Sequence, residues 1–254
     1  SDRLITQIKS SNEPLGAETL KAVAKLKDLG PGAIEPTIEA LADADKNATV
    51  ALVDVLSTLV STKTFPQYLK GLVEGGPRIS AGIAWALTSS RNYAPQLLLE
   101  ALQTKGVSKS AILEVIQAQR DRFSVRDLLQ AAYAQEANEK AALFRVIGEI
   151  ATVDSIQELA SRLDGKDAIA RMHIINILSR FSQPQVKQLL MPQLKDPNKM
   201  IRSATLAALA RMDGPIDVPA ICQLLRDSEI DVQNRAIDLL IRANDPDTIQ
   251  HLLG

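Results

Sequence analysis

The chain has 254 residues, 46% of them hydrophobic, only 3% aromatic, and a formal net charge of −1. That balance excludes the overall basic excess that nucleic-acid binders carry. Few aromatics beside abundant Ala and Leu argue against a sheet protein, because strands favour aromatic and β-branched residues while Ala and Leu lose little entropy in a helix.

Taken in chain order, apolar residues at helical spacing are interrupted by turn residues at short, regular intervals. The N-terminus, "SDRLITQIKS", has no apolar signal core, and no window approaches the ~18 uninterrupted apolar residues of a membrane span. Helix pairs are expected near 2–29, 31–60, 64–90, 93–120, 124–151, 153–181, 184–213 and 215–243, with a single opening helix at about 245–254. The breakers fall between them: "GPG" at 30–32, "GGP" at 75–77, "DG" at 164–165, "DP" at 196–197, "DGP" at 213–215 and "NDP" at 244–246. The first two pairs, residues 1–60, are the least regular, as expected of units that cap an array. From about residue 78 to 254 the pattern repeats every 31 residues.

Four apolar columns carry that period. One reads Leu97, Leu128, Leu159, Leu190, Ile221 and Leu252, and the next Leu98, Leu129, Ala160, Met191, Cys222 and Leu253. A third reads Trp85, Ile116, Ile147, Leu178, Leu209 and Leu240, and a fourth Gly82, Leu113, Phe144, Ile175, Leu206 and Ile237. Upstream of Arg78 the register is expected to slip by two residues. Placement in these columns makes Trp85 and Cys222 core residues, the cysteine buried and inert. No linker divides the chain, so 1–254 is read as a single domain. Leu252 and Leu253 stand on an opening helix with no second helix after it. Either that helix caps the array, or the native protein continues past Gly254 as a larger signalling protein in which this segment regulates or docks.

The stretch "LKDPNKMIRSATLAALARM" carries a turn residue, Asp196, a basic residue six positions later, Arg202, and then Thr205, Leu206 and Leu209. The next unit has Asp227, Gln233, Ala236, Ile237 and Leu240. This pattern resembles HEAT repeats, and its short period is similar to the HEAT-like repeats of prokaryotic proteins. The resemblance covers nearly the whole chain. It implies an all-α fold: a right-handed alpha-alpha superhelix, or HEAT-like solenoid, of about eight helix pairs plus one terminal helix. It implies a protein–protein interaction scaffold or adaptor that holds its partner on the concave, second-helix surface.

Two columns of cations run through the repeats. Arg78, Lys109, Lys140, Arg171 and Arg202 are spaced 31 apart. On a helical wheel at ~100° per residue they fall on the flank facing a neighbour. They are expected to be structural, pairing with turn residues such as Asp196 and Asp227 in their own or the next unit. Arg180, Arg211 and Arg242 form the second column. The same wheel turns Arg211 away from the core. These three are the expected partner-binding residues, suited to an acidic protein segment, although cations near helix C-termini are also favourable with no partner.

Chemistry is expected to be absent. "DADKNATVALVD" at 43–54 places Asp43, Asp45, Asn47, Thr49 and Asp54 as a calcium loop would, but Ala48 stands where Gly is needed for the sharp turn and Asp54 where a bidentate Glu is needed. Capping of the following helix explains it. His173 and His251 are the only histidines and Cys222 the only cysteine, so no metal cluster or nucleophile–base pair is visible. The glycine pairs fit no phosphate-binding loop. The reading is therefore no enzyme and no cofactor, with no nucleic acid and no membrane insertion. A HEAT-like enzyme of the bilin lyase or DNA glycosylase type stands as the weaker alternative. The single cysteine permits no disulfide within the chain, which fits a reducing, cytoplasmic location.

Overall fold

The structure, a computed structural model, describes residues 1–13 and 15–243. The opening helix expected at 245–254, with His251, Leu252 and Leu253, lies outside them. The chain is all-helical, with sixteen α-helices and no strand among the described residues. They group into two compact units, 1–123 and 124–254.

The first unit holds α1 (Asp2–Lys9), α2 (Ala17–Asp28), α3 (Ile34–Ala40), α4 (Lys46–Leu59), α5 (Phe65–Glu74), α6 (Pro77–Thr88), α7 (Gln96–Ala101) and α8 (Lys109–Ala118). The even-numbered helices stack in sequence, α2 on α4, α4 on α6 and α6 on α8. Leu26, Leu52, Leu56, Ile83, Leu87, Ile112 and Ile116 are fully buried. Asp45 caps α4 by accepting from the Ala48 N–H at 2.8 Å, while Asp43 pairs with Lys9 and Asp54 with Lys27. The carboxylates of the calcium-like stretch are thus engaged in a cap and two ion pairs.

The structure corrects the register here. Trp85 is 47% exposed, whereas Ile83 and Leu87 are fully buried. Ile83 and Leu87 precede their counterparts Ile112 and Ile116 by 29 residues rather than 31. The two-residue slip therefore lies between α6 and α8, not upstream of Arg78. Two residues turn a helix by ~200°, which carries Trp85 from the core to the surface. Arg78 shifts with it and donates backward to the Ala44 carbonyl.

A buried polar hub closes this unit. The Gln119 amide donates to the carbonyls of Leu87 (2.9 Å), Thr88 (3.0 Å) and Ser90 (2.7 Å) at the open end of α6. Its oxygen accepts from the Tyr93 hydroxyl and from Arg122, both at 2.9 Å. Burial pushes the Tyr93 hydroxyl up to about 12. A helix end buried against a neighbour needs such partners for its last carbonyls.

The second unit holds α9 (Val125–Tyr133), α10 (Ala137–Ile150), α11 (Ile156–Ala160), α12 (Ala168–Leu178), α13 (Pro184–Leu190), α14 (Lys199–Arg211), α15 (Val218–Gln223) and α16 (Ile230–Arg242). Caps start the helices where the sequence places them: Ser124, Asp167, Asn198 and Asp217 each accept a backbone N–H of the first turn. The 31-residue period holds throughout: Leu128, Leu159, Leu190 and Ile221 are fully buried, as are Ile147, Leu178 and Leu240. Helices α10, α12, α14 and α16 stack in order. Two columns differ in part from expectation. Cys222 is half-buried rather than buried, at the margin where Ala160 and Met191 also sit, and burial pushes its thiol up, away from the reactive thiolate. Ile237 is 36% exposed, because no later second helix among the described residues covers α16.

Candidate functional site

Both cation columns of the second unit start from the stacked even-numbered helices, and they meet different partners. Lys140 on α10 pairs with Asp167 at 2.5 Å. Arg171 on α12 pairs with Asp196 at 2.6 Å. Arg202 on α14 grips Asp227 with two bonds, at 2.8 and 2.9 Å. In each case the acid belongs to the next helix pair, so each of these three pairs is tied electrostatically to its successor. For Lys140 the acid is the α12 cap, Asp167, two residues beyond the turn Gly165. Burial pushes the Asp167 carboxyl up, but hydrogen bonds from the Ala170 N–H and from Lys140 outweigh it and leave the group below its ordinary value. Lys109 stands half-buried in the first turn of α8. Gln233 shows what a neutral substitute keeps: its amide donates to the Asp227 carbonyl, as Arg202 donates to the Asp196 carbonyl, and the ion pair to the next unit is absent from it.

The other column reaches backward, and it meets neutral acceptors. Arg180, just past the end of α12, donates to the Gly148 carbonyl of α10 at 3.4 Å. A side chain at residue 148 would meet that guanidinium at 2.9 Å, so the glycine makes room for it. Arg211, the last residue of α14, donates to Asn176 Oδ1 on α12 at 2.8 Å and to Ser179 Oγ, just past the end of α12, at 3.2 Å. Arg242 ends α16 and is exposed. Among the described residues neither Arg180 nor Arg211 has a carboxylate within ion-pair reach.

Between Arg180 and Arg211 lies a cleft of ≈ 440 Å³ whose lining also includes Phe181, Gln183, Lys187 and Met212. Sequence columns missed Lys187: it lies on α13, outside the 31-residue ladder, and enters the cleft by donating to the Pro215 carbonyl at 3.0 Å. Asp213 is the only acid lining the cleft, against three cations. Farther up the same helix faces, one helical stripe carries Ile169, Met172 and Asn176 to Arg180, and the next carries Met200, Ser203 and Ala207 to Arg211. A second depression of ≈ 340 Å³ opens there, with Met172, Met200, Ala204 and Arg235 in its lining. Ile169 and Met200 are 43% and 49% exposed. The face is thus mixed at the start of the helices, where Lys199, Glu229 and Asp231 join the methionines, and cationic at their ends.

The model of the family described as HEAT repeats matches residues 125–210 and 188–254, together just over half of the chain. The chain belongs to the HEAT-repeat family. No curated protein matches this HEAT-repeat chain in sequence. Among solved structures, human deoxyhypusine hydroxylase in complex with glycerol is similar over 95% of this chain and 95% of its own, at 18% identity and a TM-score of 0.40. An engineered protein is similar over 98% of this chain and 82% of its own, at 13% identity and 0.41. A designed armadillo repeat protein is similar over 95% and 99%, at 15% identity and 0.25.

The first of these corrects one expectation. The chain was expected to be no enzyme because no catalytic constellation is visible in its sequence. That expectation does not stand: the solved structures similar to this chain include that of an enzyme, the human hydroxylase. Among the described residues no group of three or more His, Cys, Asp or Glu is placed to hold a metal ion. No described helix is long and apolar enough to cross a membrane. His173 lies flat on the Phe144 ring at 4.9 Å, and burial holds its imidazole below the ordinary value.

Proposed function

We propose that this HEAT-repeat chain is a protein-interaction module that binds an acidic segment of another protein on the second-helix face of residues 124–243. The observation that carries this reading is the contrast between its two arginine columns. Cations placed only for packing are neutralised, as Arg171 and Arg202 are by Asp196 and Asp227. Arg180 and Arg211 are instead held by a carbonyl, an amide oxygen and a hydroxyl. Those neutral acceptors aim the guanidinium groups without cancelling their charge. An exposed guanidinium with donors to spare is suited to carboxylate recognition. Lys187 adds a third positive charge to the cleft between them, and the apolar stripe of Ile169, Met172 and Met200 offers contact area beside it.

The test is selection of a random peptide library on the intact chain and on the Arg180→Glu/Arg211→Glu/Arg242→Glu variant. Wild type is expected to enrich acidic sequences, and the variant to lose that enrichment while keeping its helical circular dichroism. Enrichment of non-acidic sequences by wild type would refute the reading, as would acidic enrichment that survives the triple substitution.

A further inference from the structure

We infer that the segment bound at the arginine column is extended, in the polyproline II conformation, and carries an acidic residue at every third position. The inference rests on the reading above and adds the spacing and conformation of the occupant.

The column's geometry comes from helix stacking. Arg180, Arg211 and Arg242 occupy the same place at the ends of α12, α14 and α16. These helices pack directly in that order, and packed helices lie ~8–10 Å apart. A ligand crossing the helix ends therefore meets one guanidinium per ~8–10 Å of its length. Three backbone forms can be compared with that interval. Polyproline II rises ~3.1 Å per residue with three residues per turn, so every third side chain returns to one face after ~9.3 Å. A β-strand returns to the same face every second residue, after ~6.8 Å, and falls out of step by the third arginine. A helix presents residues seven apart after ~10.5 Å, beyond the upper end of the interval, and the mismatch accumulates at each step.

The two residues between successive acids would lie against Phe181 and Met212, apolar surface of the kind that receives polyproline II ligands.

The experiment uses labelled synthetic peptides of equal length and composition, each with three Glu among Ala and Pro, titrated into the full chain by fluorescence anisotropy at fixed ionic strength. In one peptide Glu recurs at every third position, in another at every second. A third probe is a helix-forming peptide with Glu seven residues apart. The every-third peptide is expected to bind at least about tenfold more tightly than the every-second isomer, a difference of ~1.4 kcal/mol. That preference should vanish in Arg180→Glu/Arg211→Glu. Equal affinities for all three, still dependent on the arginines and on salt, would overturn this inference and leave the acidic-segment reading standing. Tighter binding of the helical probe would overturn it likewise. No arginine-dependent binding of any acidic peptide would overturn both.

Discussion

Removing the Arg202 side chain tests whether the flank ladder ties neighbouring helix pairs together. Arg202 is 12% exposed and Asp227 7%, so both charges are largely withdrawn from water. In Arg202→Ala, Asp227 keeps the Glu229 N–H as a donor at 3.0 Å and loses both guanidinium bonds. Breaking a buried pair by deleting one partner costs ~3–5 kcal/mol. Because the pair sits at a turn that water can enter once the arginine is gone, the lower end applies, about 3 kcal/mol. Arg202→Gln copies the next unit, where Gln233 donates to its own turn carbonyl. Keeping that bond should recover about 1 kcal/mol. The ion pair also predicts a pH dependence. The Arg202 hydrogen bond holds the Asp227 carboxyl below its ordinary value of 3.8. A depressed carboxylate adds stability above that value and loses it as pH falls through the lower, folded value. The decline of wild-type stability below about pH 4 should therefore flatten in both variants. Urea unfolding followed by circular dichroism, with hydrogen exchange of α14 and α16 amides, measures each quantity. The reasoning fails if Arg202→Ala changes stability by less than about 0.5 kcal/mol, the ordinary range for surface substitutions, or if Arg202→Gln is as damaging as Arg202→Ala.

Three further outcomes follow from the packing. Gln119→Leu keeps the shape of a side chain 2% exposed but deletes its bonds to the α6 carbonyls, Tyr93 and Arg122; a loss of about 3 kcal/mol is expected in the same urea assay. His173→Phe should keep the stack on Phe144 while removing a pH effect: with its folded pKa lowered from 6.5, wild type loses stability as pH falls through and below that value, and the variant should not. Gly82→Ala would bring a methyl within 2.6 Å of Leu41 Cδ1, and thermal melts should show a cost of about 1–3 kcal/mol from overpacking.

Most of the fold was legible because the stacking of like units demands repetition. A column such as Leu128, Leu159, Leu190 and Ile221 is buried in every unit, and a residue that must fill the same gap each time is written each time. Trp85 shows the limit. Trp85 matched Ile116 in type and spacing, yet Leu87 occupies the core position; period alone cannot tell which of two apolar residues on one helix faces inward. The ladder's partners were only half legible, since Asp196 and Asp227 recur visibly while Asp167 is offset by two residues and earns its place through cap geometry.

The sequence by itself determined the helix pairs, their 31-residue register from α8 onward and the existence of two cation columns, because burial and capping act through local spacing that a linear pattern preserves. Only the tertiary structure decided what those cations meet. Whether an arginine reaches forward to an acid or backward to a carbonyl depends on how adjacent helices are rotated against each other, and on residues about 30 positions away. That same rotation brings Lys187 from another helix into the cleft beside Arg180 and Arg211.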